Sequence, residues 1–247
     1  MLRTFGANIS DSNVIRAGND LQAANFSVPA DISSAAFALA AAALVPGSGI
    51  HVRSVGLNPT RSGLIDAMWA MGCDLQIENE RWFGTEPVGD IEIHWRDGIS
   101  AVELGASEIP AIIDELPVLM ALAARADGIT RIRGAAELRV KESDRIAVMA
   151  EGLEKMGIRV KQYPDGIDIE GQPINEDQFA QPAEGSVHVD AAGDHRCAMS
   201  FCVLAQTLNQ PVFVSGAAHI DTSYPGFIDD FSALGGLVSH DEVSSRD

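Results

Sequence analysis

The chain has 247 residues, 46% of them apolar, 21% charged and 6% aromatic, the proportions of a soluble globular protein of one large domain or slightly more. Lys and Arg number 17 against 35 Asp and Glu, a formal charge of −18; this excludes a non-specific binder of nucleic acid or anionic membrane and requires a local cation cluster for any anionic ligand. Three cysteines, Cys73, Cys197 and Cys202, fit neither a disulfide framework nor a paired zinc motif and read as buried, reduced thiols of a cytoplasmic protein.

In chain order, Met1 to Gly6 has no signal-peptide layout and has the form of a final helical turn. A strand pair is expected near Ala7 to Ile9 and Asn13 to Ala17, and the pattern breaks between Ala23 and Pro29. From there one plan recurs three times: an acidic residue, a helix of small apolar residues, a turn, a short strand, and an amphipathic helix ending at Gly. The first copy runs from Asp31 through Ala35 to Ala40, the turn Pro46 to Gly49 and the strand Ile50 to Val52, and ends at Gly72. Its apolar run, Ala35 to Val45, is too short to span a bilayer. The second runs from Asp114 through Leu119 to Ala123, the turn Asp127-Gly128 and the strand Thr130 to Ile132 to Gly157. The third runs from Asp194 through Ala198 to Leu204, the turn Asn209-Gln210 and the strand Val212 to Val214 to Gly235. The Asp-to-Gly spacings are 41, 43 and 41 residues.

Ile146, Met149, Leu153 and Met156 recur at helical spacing before Gly157, so each such Gly reads as the left-handed residue that stops a helix. The alternation of Leu75 with Ile77, of Ile158 with Val160, and of Ile167 with Ile169 predicts strands after the stops. The fold class is therefore α/β, with three βαβαββ units packed around buried helices and the tail of a fourth unit at residues 1–24. Residues 25–240 form the three-unit domain and 241–247 a polar tail. On this reading the chain begins in the middle of a repeat.

The densest charge cluster, Leu138 to Arg145, is expected to open the second helix of the second unit. There Lys141 and Arg145 would stand on one face, and like charges four apart cost about a few tenths of a kcal/mol unless an anion lies between them. A helix start adds free N–H groups and a positive dipole end, so the segment reads as an anion site. Gly193-Asp194-His195-Arg196 opens the first helix of the third unit; taken alone it reads as a cap with surface charges. His188, Asp190, Asp194 and His195 lie close in sequence, but their spacing crosses a strand-to-helix turn and does not make a metal motif. Asp114, before Glu115-Leu116-Pro117, taken alone reads as an N-cap. Side-by-side units would bring these starts to one rim, where Asp114 and Glu142 could act as base and acid beside Lys141, Arg145 and Arg196.

Leu138 to Arg145, Asp194 to Phe201, Ile113 to Pro117 and Val28 to Ala35 together resemble, in order and spacing, the 5-enolpyruvylshikimate-3-phosphate synthase family. The resemblance covers Met1 to about Leu237 and corresponds to the carboxy-terminal part of longer, two-domain proteins. It implies transfer of the enolpyruvyl group of phosphoenolpyruvate to the 5-hydroxyl of shikimate 3-phosphate, in aromatic amino-acid biosynthesis, by addition and then elimination of phosphate, with no metal or organic cofactor. It also implies a proton-accepting, shikimate-contacting Asp114, a Glu142 that protonates the phosphoenolpyruvate methylene, a Lys141 that reaches the shikimate moiety, and a phosphoenolpyruvate clamp of Arg145 and Arg196 with His195 in the same site. Glu137 stands where some members have Asn, and Thr222 where some have Lys. The implied partner is a missing amino-terminal domain, the complete protein being monomeric, and the isolated chain is expected to be nearly inactive. Two other readings stay open: an enolpyruvyl transferase acting on UDP-N-acetylglucosamine, against which the Lys141 and Asp194 motifs speak, and a non-catalytic half-enzyme binding module. Action on RNA ends is disfavoured by the acidic balance.

Overall fold

In a computed structural model, residues 2–10, 14–18, 20–174 and 184–240 are described. The first stretch carries a short antiparallel pair, β1 (Asn8–Ile9) and β2 (Ile15–Arg16). Residues 2–6 before it form a hydrogen-bonded turn. The helical turn expected there is not completed, although Gly6 does take the left-handed conformation, with φ 88°.

The first unit contains α1 (Ile32–Leu44), β3 (Gly49–Gly56), α2 (Gly63–Ala70), β4 (Asp74–Phe83) and β5 (Glu86–His94). Its sheet runs β3-β5-β4, all antiparallel, and Ala30 bridges Val55 in parallel before α1 starts. The second contains β6 (Glu103–Leu104), α3 (Ile109–Ile112), α4 (Leu116–Ala123), β7 (Ile129–Ile132), α5 (Arg145–Lys155), β8 (Arg159–Tyr163) and β9 (Gly166–Glu170). Its sheet order is β6-β7-β9-β8, with β6 parallel to β7. The third contains β10 (Val187–Asp190) parallel to β11 (Val212–Ser215), with α6 (His195–Ala205) between them and α7 (Ile220–Ser223) and α8 (Phe227–Ala233) after them.

Two units thus carry the expected order, whereas the third, among the described residues, shows no strand pair after α8. The expected tail at 241–247 lies outside the described residues. The third unit's second helix is also broken, for a local reason: Tyr224 precedes Pro225 and is held out of the helical region at φ −134° and ψ 77°, and Gly226 is left-handed at φ 82°. The predicted stops hold, with φ of 83° at Gly72, 84° at Gly157 and 98° at Gly235. A side chain at these positions would strain the backbone.

The centre consists of α1, α4 and α6, which pack against one another. All of α4 is buried, as are Cys197 to Leu204 of α6 and most of α1. Helices apolar on every side have no other stable place in water, and the Ala and Ser of α1 let their backbones come close. Their directions agree. At one end Ser33, Glu115 and Arg196, from the first turns of α1, α4 and α6, touch one another. At the other, Arg125 just past α4 donates to the hydroxyl and carbonyl of Thr207 just past α6, at 2.8 and 3.3 Å, and shares a small cavity with Leu44 at the end of α1. The three helices are therefore parallel and their dipoles add. Burial pulls the Arg125 guanidinium down to about 10, still charged at neutral pH, where it lies at the negative ends of α4 and α6.

Candidate active site

The helix starts set the geometry. Asp194 is the N-cap of α6, its carboxylate accepting from the N–H groups of Arg196 and Cys197. This fixes the first turn, so that Arg196 leans across to α4, where its Nη1 donates to the Asp114 carbonyl at 2.8 Å and to Glu115 Oε1 at 3.3 Å. His195, beside it, is half-buried. Burial lowers its pKa, and the neighbouring Arg196 and Arg145 also lower it, against the opposing charges of Asp194 and Glu142.

Leu138 to Arg145 does not open a helix. A 3₁₀ turn covers Ala136–Val140, Lys141 is extended, and α5 begins at Arg145 with Asp144 as its cap, accepting from the Ala147 N–H. The apolar spacing explains this, because the helical phase of Ile146, Met149 and Leu153 does not extend back into the charged segment. Lys141 and Arg145 are consequently not helix neighbours, and the like-charge argument fails, yet both reach the same carboxylate. Lys141 Nζ lies 3.7 Å from Asp114 Oδ1 and 2.8 Å from Glu137. Arg145, with 1% of its side chain exposed, donates from Nε to Asp194 at 2.7 Å and from Nη2 to Glu142 at 2.6 Å. Its Nη1, 3.8 Å from Asp114 Oδ1, is buried with no hydrogen-bond partner.

Asp114 is not the cap of α4; Glu115 occupies that position, without a side-chain cap bond. The Asp114 carboxylate instead faces Arg61, Lys141, Arg145 and Arg196 at 3.6, 3.7, 3.8 and 4.0 Å. All four are beyond hydrogen-bonding range, so its lone pairs remain available to a ligand hydroxyl. The residues singled out in sequence, Asp114, Lys141, Glu142, Arg145, His195 and Arg196, thus form one cluster at the rim. A small dianion there meets guanidinium groups whose planar donors suit carboxylate and phosphate.

Three neighbours were not singled out. Arg61, in the loop between β3 and α2, donates to Ser33 Oγ at 2.9 Å. Ser33 Oγ donates to Glu115 at 2.5 Å. Burial raises the Glu115 pKa, helped by the nearby Asp114 charge and opposed by the Ser33 hydroxyl, Arg196 and Arg61. The repeat held a signal for Arg61, which precedes the second helix of its unit as Lys141 does.

His188 and Asp190 have local uses: His188 stacks on Phe213 at 4.8 Å between ring centroids, and Asp190 accepts from the Ala192 N–H at 2.9 Å. Among the described residues no three His, Cys, Asp or Glu are grouped as metal ligands would be. Nor is any described helix long and apolar enough to cross a membrane. All three cysteines are buried and free.

The class of protein emerges first from the architecture. The enolpyruvyl transferase NikO of Streptomyces tendae superposes on 97% of this chain and 52% of its own, with TM-score 0.70 at 19% identity, so the mixed α/β fold is shared with an enolpyruvyl transferase. The EPSP synthase structure from Acinetobacter baumannii is nearer, at 41% identity and TM-score 0.87 over 95% of this chain and 53% of that one. The 3-phosphoshikimate 1-carboxyvinyltransferase of Alkalilimnicola ehrlichii is 41% identical over 249 aligned positions, 100% of this chain and 54% of the relative. Residues 1–231 match the family model for EPSP synthase (3-phosphoshikimate 1-carboxyvinyltransferase), and the chain belongs to that family. It spans about half the length of the relatives it matches.

Proposed function

We propose that this chain supplies one wall of a cleft in which the enolpyruvyl group of phosphoenolpyruvate is transferred to the 5-hydroxyl of shikimate 3-phosphate. The observation that supports this most directly is the convergence of Lys141, Arg145 and Arg196 on Asp114, with Arg145 Nη1 buried and lacking a hydrogen-bond partner. A buried donor without an acceptor costs about 1–3 kcal/mol, which a bound anion would recover. Asp114 contacts the shikimate hydroxyls and takes the proton of the attacking one as its oxygen bonds to the phosphoenolpyruvate C2. Glu142 protonates the methylene carbon in that addition and takes a proton back from the resulting methyl group as the bond from C2 to the phosphate oxygen breaks, while the proton held by Asp114 goes to the departing phosphate. Lys141 reaches the shikimate moiety, Arg145 and Arg196 hold phosphoenolpyruvate, and His195 lines their site. The residues need no metal or organic cofactor for these steps.

In this reading residues 25–240 are a domain of three repeat units around the parallel helices, and 1–24 are the tail of a unit from a second, amino-terminal domain that closes the cleft. The complete protein is a cytoplasmic monomer. Closure excludes water and completes the neutralisation of two dianionic substrates, so the chain by itself is nearly inactive. The test is co-expression with the amino-terminal half of a relative, following phosphate release that depends on both substrates. Restored turnover is expected, with UDP-N-acetylglucosamine inert as acceptor. Two folded halves without turnover, or turnover with the nucleotide sugar instead, would refute the proposal.

A further inference from the structure

Every cation at the rim has a neutralising carboxylate beside it, and two of these carboxylates, Asp194 and Glu115, are buried out of a ligand's reach; Asp194 is committed to capping α6, which leaves Glu115. Lys141 has Glu137, and Arg145 has Glu142 and Asp194. Arg196 and Arg61 share Glu115, at 3.3 and 3.7 Å, and the Glu115 side chain is only 1% exposed. Glu115 thus lies behind the two guanidinium groups, on the side of the buried helices, with its third partner being the Ser33 hydroxyl. Arg196 does not need Glu115 for its aim, because the Asp114 carbonyl holds the same Nη1 at 2.8 Å. What Glu115 contributes is therefore mainly charge.

We propose that Glu115 is a built-in counter-anion that weakens the grip of Arg196 and Arg61 on anions at the rim, so that substrate phosphate is held but inorganic phosphate can leave. This rests on the anion-binding reading of the rim, and it makes Glu115 a positioning residue that acts through Arg196 and Arg61 without touching substrate. The sign separates it from a structural role. Loss of a merely structural residue loosens the site and weakens anion binding, whereas loss of a counter-charge at unchanged shape strengthens it.

The experiment uses the 247-residue chain and inorganic phosphate, with binding followed by NMR at arginine side-chain resonances and folding by circular dichroism. Glu115→Gln keeps the side-chain length and an acceptor oxygen and removes the charge, and is expected to bind phosphate about tenfold more tightly than the wild type. Glu115→Asp, which keeps the charge, is expected to stay near the wild-type affinity. The double variant Glu115→Gln with Arg61→Gln removes the carboxylate together with one of its cations and is expected to return toward the wild-type value. Equal or weaker phosphate binding by folded Glu115→Gln overturns the proposal and leaves the rim an anion site. Phosphate that disturbs none of the arginines in either protein overturns the anion-site reading as well. If Glu115→Gln alone does not fold, the comparison of Arg61→Gln with the double variant decides, since both lack the same cation and differ only in the Glu115 charge: the double variant must bind phosphate severalfold more tightly than Arg61→Gln, and equal or weaker binding overturns the proposal.

Discussion

Arg145→Met should destabilise the chain by about 3 kcal/mol at neutral pH, at the lower end of the cost of breaking a buried ion pair. The substitution leaves Asp194, whose side chain is 0% exposed, without its 2.7 Å bond from Arg145 Nε. The Asp194 carboxylate keeps the N–H groups of Arg196 and Cys197 at 2.9 and 3.2 Å and the Ser143 hydroxyl at 3.2 Å. These three bonds place the expected cost below the upper end of that range. Glu142, half-exposed, returns to water and adds little. The pH dependence follows from Asp194. Burial pushes its carboxyl up, but the hydrogen bond and charge of Arg145 and the two cap N–H groups outweigh this, and the net shift is downward. A carboxyl depressed by folding contributes stability that is present above its unfolded value of about 4 and is lost as pH falls through the folded value. Without Arg145 the depression is diminished, so the cost of the substitution should shrink as pH falls below about 4. Urea unfolding at pH 7 and pH 3 measures both, and Arg145→Met with Asp194→Asn, which leaves no buried charge, should recover much of the loss. A loss below about 1 kcal/mol at neutral pH, the size of an exposed pair, would refute the reasoning. So would a loss that does not change with pH.

Three other measurements bear on the packing and ionisation. A Cβ at Gly152 in α5 would lie 2.3 Å from the Phe201 ring of α6, so Gly152→Ala should cost about 1–3 kcal/mol by overpacking, although helix propensity returns up to ~1; an unchanged melting temperature would contradict the close approach. Burial pushes the Cys73 and Cys202 thiols up to about 12 and raises that of Cys197, so a disulfide reagent at pH 8 should label none of them rapidly until urea is added, and a fast native-state burst would count against their burial. The Asp90 carboxyl is held at about 2, chiefly by the Ser54 N–H and the Asn79 amide, against a small desolvation, and with help from Arg81. Its stabilisation should be present above about 4 and disappear as pH falls toward 2; Asp90→Asn should flatten that part of the acid-unfolding curve, and superimposable curves would exclude the assignment.

The parts of the fold legible in sequence were those governed by local chemistry. Helices of small apolar residues had to be central, Gly72, Gly157 and Gly235 stopped helices, and Asp194 capped one. The repeat also brought Asp114 to the same rim as Lys141, Arg145 and Arg196, because equivalent helix starts in packed units share a side. Sequence reasoning failed where charge overrode pattern. Leu138 to Arg145 carries no apolar phase of its own, and its path is set by the Asp144 cap, by pairing with Glu137 and Asp114 within the unit and by the bond of Arg145 to Asp194 of the third. Asp114 was mistaken for a cap because one residue of register decides whether it or Glu115 precedes α4. Arg61 has no signature in its immediate neighbours; its place before the second helix of its unit marks it only by analogy with Lys141, and its contacts with Ser33, Asp114 and Glu115 bring it to the site. The break at Tyr224 to Gly226 was written in Pro225, but the expectation of a regular repeat hid it.

The parallel run of α1, α4 and α6 ties the make-up of the rim to cooperativity. Each unit contributes the beginning of one inner helix to the rim, so peeling away any single unit dismantles the same floor that the others need. Amide hydrogens in the three helices should therefore exchange together, at the free energy of global unfolding, with no partially opened form that retains a usable rim. A mutation far from the rim that loosens one unit would then reduce the population able to bind ligand without altering a single contact to it.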